Sequence, residues 1–199
     1  MEFREVVMQR YAAKKFDGKK IPDDKIKELV ELIRLAPSSL NLQPWRIKIV
    51  ADQGTKEKLR AAAFGQEQVG SCSHLLVFYA NTDMDDLMKK VEGMMKRSGV
   101  PEETMNMVLN LARVMGGSMS REAKLAWAQC QVFLALGNAV NGAKSLGFDS
   151  CPMTGFDAGQ VNAILGSHPN LVLTAFCPVG YAIDTAAPKM RFSPDEILL

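Results

Sequence analysis

Hydrophobic side chains recur at helical spacing along much of the chain. The clearest stripe lies between Pro22 and Pro37 and consists of Ile26, Leu29, Val30 and Ile33. Side chains three or four residues apart share one face of an α-helix, so this segment is predicted to be helical. Capping residues, breakers and apolar spacing predict further helices over 2–10, from about 55, over 85–97, over 101–115, over 120–147 and after 157. Gly116 and Gly117 are predicted to end the helix over 101–115.

Shorter apolar runs predict the strands. Residues 46–51 alternate between apolar and polar, residues 75–80 are more continuously apolar, and further strands are predicted near Asp149 and over 171–181. This order of helices and strands indicates an α+β fold. No internal repeat, low-complexity tract or linker interrupts it, so residues 1–199 are predicted to form a single domain.

The predicted helix over 120–147 differs from the others because apolar residues occupy nearly every side of it from Leu125 to Val140. Four polar side chains interrupt the longer apolar stretch around Leu125 to Leu146, namely Gln129, Gln131, Asn138 and Asn141. With these interruptions the helix does not fit a membrane span. A helix that is apolar all round is buried in a large core or shared between subunits.

Composition excludes several classes of partner. The chain has 199 residues, of which 47% are hydrophobic, and a net charge of +2 without a dense basic stripe, so nucleic acid is not expected as a partner. No charged-then-apolar leader with a cleavage site precedes the fold. Cys130 and Cys177 lie in apolar segments and no C-x-x-C spacing occurs, which is typical of reduced core thiols in a cytosolic protein. We therefore expect a cytoplasmic protein that binds neither nucleic acid nor membranes.

Two pairs of cations stand near opposite ends of the chain. Arg10 and Lys14 would share a helix face if the first helix ran on to Lys14, and Lys189 and Arg191 would share a face of the extended segment that Pro188 begins. A phosphate monoester carries nearly two negative charges and needs several fixed donors, so the two pairs could close on one such anion. The ordinary alternative is that these are surface cations that face only solvent.

Several motifs in a fixed order give the chain a resemblance to a known family. Arg10 to Lys14 is similar to an R-x-S-x-R/K segment, and Pro37 to Trp45 matches P-S-x-x-N-x-Q-P-W over nine residues. A turn at residues 64–69 then leads into the apolar run 74–78, a P-x-x-G turn spans Pro152 to Gly155, and K-x-R ends the pattern at residues 189–191. Together they resemble the FMN-dependent, oxygen-insensitive nitroreductase family over residues 2–192.

The resemblance implies a fold and an activity. The fold would be a central mixed or antiparallel sheet flanked by helices, with the long helix at the interface of a homodimer. The enzyme would use FMN to carry two electrons, in alternating steps, from NADH or NADPH to a small-molecule acceptor such as a nitroaromatic or a quinone. The alternatives are a relative that reduces one defined metabolite, such as a flavin, an enone or a halogenated aromatic, and a flavin-binding protein without turnover.

The resemblance also implies cofactor contacts, while the flavin itself performs the chemistry and no catalytic side chain is expected. Arg10, Lys189 and Arg191 would bind the phosphate and ribityl chain, with Tyr11 and Ala12 beside them, and Lys14 would lie near the pyrimidine edge. The backbone of the turn formed by Pro152, Met153, Thr154 and Gly155 would approach flavin N5 and O4. Ser38, Ser39, Asn41 and Gln131 would reach the cofactor of the other subunit.

These residues also have simpler interpretations. Ser38, Ser39 and Asn41 suit a turn or a cap, Gln131 suits a buried bond to backbone, and residues 152–155 suit a strand-to-helix turn. The chain also departs from the family pattern: Ala12 stands for a frequent serine and Thr154 for a glutamate. No lysine lies between Gln66 and Val69, so Gln66 and Gln68 are predicted to replace a lysine at the pyrimidine edge.

Methionine is concentrated in residues 84–119. Eight of the 12 methionines occur there, namely Met84, Met88, Met94, Met95, Met105, Met107, Met115 and Met119. They could simply pack irregular helices, or they could line an adaptable substrate pocket, and both can hold together. No metal-binding cluster, Ser-His-acid set or dinucleotide-binding glycine loop competes with the flavin hypothesis, since His74 and His168 are isolated.

Overall fold

The computed structural model describes residues 1–199 and contains nine α-helices and a four-stranded sheet. The helices are α1 Phe3–Gln9, α2 Asp23–Arg34, α3 Gln53–Ala62, α4 Glu67–Ser71, α5 Met84–Arg97, α6 Glu102–Ser118, α7 Arg121–Ser145, α8 Ala158–Leu165 and α9 Pro194–Ile197. The strands are β1 Trp45–Val50, β2 His74–Asn81, β3 Asp149–Ser150 and β4 Leu171–Gly180. This confirms the α+β class that the sequence predicts.

The sheet is antiparallel throughout, with the strand order β1-β2-β4-β3. The resemblance implied a mixed or an antiparallel sheet, and the observed sheet is antiparallel. The central strand β2 is buried along its whole length. Its side chains alternate between two apolar clusters, with Leu76 and Phe78 in one and Leu75 and Val77 in the other. The sheet thus carries a helical layer on each face.

Helices α2 and α7 cover one face of the sheet, and their apolar stripes supply the larger cluster. Ile26, Leu29 and Ile33 of α2 are buried there, as the periodicity of that segment predicts. Helix α3 contributes to the cluster on the opposite face, where Leu59 is fully buried. A third, smaller cluster lies under α5 and α6, which form the predicted helical excursion within residues 84–119.

Two helix ends differ from the sequence predictions. Helix α6 continues to Ser118, so Gly116 and Gly117 lie inside it rather than ending it. A Cβ atom at Gly116 would lie 3.2 Å from Met84 Cε, so this glycine allows α6 to approach the start of α5. The turn predicted at residues 64–69 also contains the first residues of a short helix, α4.

Helix α7 begins as predicted, since Ser120 Oγ accepts the backbone N–H of Ala123 at 3.2 Å. One side of the helix is buried against α2 and the sheet. Its other side is apolar but exposed in the single chain, where Phe133 and Leu134 are 49% and 44% exposed. Cys130 lies on this exposed side, so the prediction that it is a core thiol is wrong, whereas Cys177 is buried as predicted.

None of the helices is both long and apolar enough to span a membrane.

Candidate cofactor site

The first of the two cationic segments leaves the helical conformation just before the site. Helix α1 ends at Gln9, and Arg10 is extended, with φ −62° and ψ 144°. The following residues pair with distant segments, because Ala13 N–H donates to the Ser150 carbonyl at 3.1 Å and Lys14 N–H donates to Asp184 Oδ2 at 2.9 Å. The prediction that Arg10 and Lys14 share a helix face is therefore wrong, since long-range hydrogen bonds take the place of another helical turn.

The two termini nevertheless meet in one groove. We call it the cationic groove; its volume is about 420 Å³ and its lining includes Arg10, Lys14, Lys189 and Arg191. Tyr11, Ala12 and Asp184 also line it. None of the four cations forms a salt bridge with a carboxylate. Four cations without salt-bridge partners around one groove create a positive potential that favours an anion.

One donor within the groove lacks an acceptor, and a second is a lysine beside two other cations. Arg10 Nε is buried and has no hydrogen-bond partner, and buried polar groups without partners are rare in folded proteins. The pKa of Lys189 is lowered by burial and then by the positive charges of Arg10 and Arg191. Lys189 Nζ also donates to the Arg10 carbonyl, so the two cationic segments touch. A phosphate group bearing several acceptor oxygens fits this donor set.

Tyr11 and Asp184 connect the two terminal segments that line the cationic groove. Tyr11 Oη donates to the Asp184 carbonyl at 2.7 Å and approaches its carboxylate at 3.4 Å. Burial, followed by the negative charges of Asp184 and Asp149, raises the pKa of Tyr11 to about 12. The phenol therefore remains a hydrogen-bond donor at neutral pH.

Lys14 reaches from the groove towards the strand that precedes the P-x-x-G turn. Its Nζ donates to Cys151 Sγ at 3.6 Å. Burial raises the pKa of the Cys151 thiol, while Lys14 acts in the opposite direction. Ala12 forms a parallel bridge with Ser150, which places the amino-terminal segment beside the start of this turn.

The turn from Pro152 to Gly155 lies against the two glutamines. Gln66 Nε2 donates to the Gly155 carbonyl at 2.9 Å, and Gln68 Nε2 donates to Gln66 Oε1 at 3.0 Å and approaches Met153 Sδ at 3.9 Å. The glutamines and the turn therefore form one unit, which Lys14 joins to the cationic groove through Cys151.

Not every backbone group of this turn is available to a ligand. Met153 N–H donates to the Phe176 carbonyl at 2.9 Å, and Pro152 has no N–H. The N–H groups of Thr154 and Gly155 make no hydrogen bond within the chain, and both residues are exposed. Of the predicted backbone donors, these are the two that remain free.

The remaining predicted residues form a separate group. Ser39 N–H donates to Gln131 Oε1 at 2.9 Å, and Ser38 Oγ accepts the N–H of Gln43 at 3.0 Å. The turn is strained, since Leu40, Asn41 and Gln43 have φ values of 50°, 54° and 47°. Ser38, Ser39, Asn41 and Gln131 are absent from the lining of the cationic groove. Gln131 does pair with backbone, as its simpler interpretation predicts, but the bond is exposed rather than buried.

Sequence reasoning missed Asp184 and the role of Cys151. Nothing in the sequence distinguishes Asp184 from other acids near the carboxyl terminus, because its contacts with Tyr11 and Lys14 span 173 and 170 residues. Cys151 stands directly before the P-x-x-G turn, and this adjacency was the one available signal.

Comparison with known proteins identifies the family of the chain. A statistical description of the Nitroreductase family matches residues 7–181, a span that contains the amino-terminal side of the groove, the turn and the Ser39–Gln131 group, whereas Asp184, Lys189 and Arg191 lie beyond it. The chain belongs to the nitroreductase family. The resemblance inferred from the motifs is thereby confirmed, and the protein is an enzyme of an oxidoreductase family.

Individual relatives match almost end to end. The chain is 31% identical over 199 residues to an NADH dehydrogenase of Thermus thermophilus, covering 100% of this chain and 96% of that one. The structure of YdfN from Bacillus subtilis, provisionally named a nitroreductase, superimposes with a TM-score of 0.92 at 27% identity and covers 100% and 98% of the two chains. A nitroreductase-fold protein of Exiguobacterium sibiricum, solved in complex with FMN, gives a TM-score of 0.91 at 24% identity and covers 100% and 96%. These matches confirm the nitroreductase-like fold.

Proposed function

We propose that this protein is an FMN-dependent oxidoreductase that takes electrons from NADH or NADPH and passes them to a small acceptor, such as a nitroaromatic or a quinone. When bound, FMN supplies the chemistry, since its ring system takes a hydride from a reduced nicotinamide and later gives up two electrons. The protein supplies orientation and electrostatics, so no side chain is assigned as a catalytic acid or base. The observation that carries the proposal is the convergence of four cations, one with an unpaired buried donor, on one groove.

The phosphate end of FMN is assigned to the cationic groove. Arg10, Lys189 and Arg191 would bind the phosphate, because charge-assisted bonds from several donors favour a terminal monoester. Arg10 Nε would gain the acceptor that it lacks within the chain. Lys189, next to two arginines, would stay charged more easily once an anion is bound.

The ring end of FMN is assigned to the unit that Lys14 joins to the groove. Lys14 would hold a positive charge near the pyrimidine edge, where negative charge builds on reduction. Gln66 and Gln68 would contribute neutral amides there in place of a lysine. The free N–H groups of Thr154 and Gly155 would face the ring, and the lack of a side chain at Gly155 allows close approach.

The second group of residues is assigned to the cofactor of a second subunit. The apolar exposed side of α7, with Phe133 and Leu134, suits a two-fold interface between copies of this chain. Gln131 lies on the same helix and fixes the turn that carries Ser38, Ser39 and Asn41. A homodimer would bring this turn to the partner's flavin.

The methionine-rich excursion is assigned to the acceptor pocket. Helix α6 exposes a stripe of Met107, Leu111 and Val114, which are 56%, 51% and 72% exposed. Such a stripe would wall an adaptable pocket beside the flavin of the partner subunit. A relative that reduces a single metabolite, and a flavin-binding protein without turnover, remain the alternative functions that the experiment below distinguishes.

The decisive experiment examines the purified protein under anaerobic conditions. We expect mass spectrometry of the released cofactor to give FMN, and we expect the flavin absorbance to bleach on addition of NADH or NADPH and to recover on addition of a nitroaromatic or a quinone. FAD, or no flavin after reconstitution, would contradict the assignment of the groove. A flavin that bleaches but recovers with neither acceptor would favour the relative that reduces a single metabolite. A flavin that binds but does not bleach would favour the protein without turnover.

A further inference from the structure

A second charged groove lies between the strained turn before β1 and helix α5. It has a volume of about 190 Å³, and its charged lining consists of Arg46, Lys90 and Arg97. No carboxylate lines it. Just outside the lining, the Asp86 carboxylate pairs with Lys90 Nζ at 2.6 Å and with Arg46 Nη2 at 3.4 Å. Two of the three cations therefore share one carboxylate and Arg97 has none, so the groove keeps an excess of positive charge.

Arg97 is the cation best able to bind a ligand. Its guanidinium forms no salt bridge or side-chain hydrogen bond within the chain, whereas Arg46 Nη1 donates to the Trp45 carbonyl at 2.7 Å. Lys90 and Arg97 lie seven residues apart on α5, so both point to the same side of that helix. Arginine binds carboxylates through two parallel hydrogen bonds, which favours this anion over a halide.

The floor of the groove is apolar. Leu42 and Leu87 are almost fully buried beneath it, and Val91 and Met94 complete the floor on α5. Methionine adapts to irregular ligands, and Met94 also lies 3.8 Å from Gln43 Nε2. A cavity of roughly 150 Å³ accommodates a benzene ring, so the apolar part of a ligand here is limited to about six carbons.

We propose that this groove binds a small apolar carboxylate, with the carboxylate on Arg97 and Lys90 and the hydrocarbon on the floor formed by Leu42, Leu87, Val91 and Met94. The cations would bind the carboxylate and the apolar floor would contact the hydrocarbon. An inorganic anion would use only the cations, and a neutral hydrocarbon would use only the floor. Its residues are separate from those of the cationic groove, although the groove adjoins the turn assigned to the partner's cofactor. FMN binding is therefore measured alongside hexanoate binding, so that a failure of either assignment is seen on its own.

Calorimetry on the purified full chain, loaded with its cofactor, tests the proposal with three matched probes. Hexanoate carries both parts of the ligand, hexanamide lacks the charge, and acetate lacks the body. We expect hexanoate to bind about tenfold or more tightly than either of the other two, and to weaken as salt is added. Equal binding of hexanamide or of acetate would overturn the proposal.

Variants locate the binding. Arg97→Gln and Lys90→Gln should each weaken hexanoate by about tenfold. The matched controls are Arg113→Gln on α6 and Lys89→Gln on α5, two exposed cations outside the groove lining, and they should leave hexanoate binding unchanged. Because all four residues are exposed, folding should be retained, and circular dichroism checks it. Hexanoate binding that is equal in Arg97→Gln and Arg113→Gln would place the carboxylate elsewhere and end the proposal.

Discussion

The carboxylate of Asp184 accepts the backbone N–H of Lys14 at 2.9 Å, so an acid lies within a groove whose other charged residues are all cations. Its charge opposes the binding of a phosphate, yet the carboxylate holds Lys14 in place through this bond and also approaches Tyr11 Oη at 3.4 Å. These two effects predict opposite results when the carboxylate is removed.

Asp184→Ala should weaken FMN binding by about tenfold, because loss of the bonds that fix the amino-terminal segment outweighs the loss of a screened negative charge. Asp184→Asn should recover part of the affinity, since its amide oxygen still accepts the Lys14 N–H. Fluorescence titration of the apoprotein with FMN measures both. Asp195→Ala, an exposed acid on α9, is the control. Tighter binding by Asp184→Ala would mean that charge, and not positioning, dominates.

Arg191→Ala should weaken FMN binding by about 2 kcal/mol, which is a typical loss for a charged hydrogen bond to a phosphate. Lys58→Ala removes an exposed cation from α3, outside the lining of the cationic groove, and should have almost no effect. The same titration compares the two. If both variants bind FMN alike, Arg191 does not contact the phosphate.

Arg10→Met should change stability and FMN affinity in opposite directions. Removing the buried Nε that lacks a partner should raise the free energy of unfolding of the apoprotein by about 1 kcal/mol, while removing the guanidinium should weaken FMN. Urea denaturation and FMN titration give the two quantities. Arg4→Met on the exposed surface of α1 controls for loss of a cation. A destabilised Arg10→Met apoprotein would show that Nε has a partner in solution.

The sequence predicts elements whose signals are local. The stripe from Ile26 to Ile33 and the cap at Ser120 suffice for α2 and for the start of α7, because periodicity and capping act within a few residues. The end of α1 is determined by hydrogen bonds from Ala13 to Ser150 and from Lys14 to Asp184. These partners are distant in the sequence, so no local pattern predicts where the helix ends.

The candidate site also combines residues that the sequence predicts with residues that only the fold brings together. Arg10, Lys14, Lys189 and Arg191 are found from the order of the motifs, and the structure brings them to one groove. Asp184, which positions Lys14, is not predicted from the sequence, because it meets the amino-terminal segment only in the folded chain. The position of Cys130 depends on the helical phase of α7, and a helix that is apolar on nearly every side gives no sequence signal for which side is buried.

His74 should make the fold sensitive to acid. Its side chain is buried, and Nδ1 lies 2.8 Å from Ser73 Oγ, which accepts the N–H of Ile21 at 2.7 Å. Burial, followed by the positive charges of Lys20 and Lys56, lowers the pKa of His74 below 6.5. As pH falls below about 6.5, the unfolded chain therefore gains a proton at this residue that the folded chain resists, and the free energy of unfolding decreases.

His74→Asn should reduce that decrease between pH 7 and pH 5, because asparagine can accept the same hydrogen bond without gaining a charge. Chemical denaturation at a series of pH values gives the slope. His168→Asn, which removes the other histidine from an exposed loop, controls for losing any histidine. If the slope of His74→Asn equals that of the unmodified protein, His74 does not cause the acid sensitivity.

Flavin binding should require the dimer. Phe133 and Leu134 leave an apolar face of α7 in water in the single chain, and the turn fixed by Gln131 lies outside the cationic groove of its own subunit. Leu134→Lys should therefore separate the subunits and abolish FMN binding together, because a charge in the interface core is not tolerated.

Phe64→Lys places the same charge on an exposed aromatic outside α7 and should leave the dimer intact. Size exclusion with light scattering should give 21.9 kDa for Leu134→Lys and twice that mass for the unmodified protein. A monomer that retains FMN would contradict the assignment of Ser39, Asn41 and Gln131 to the partner's cofactor.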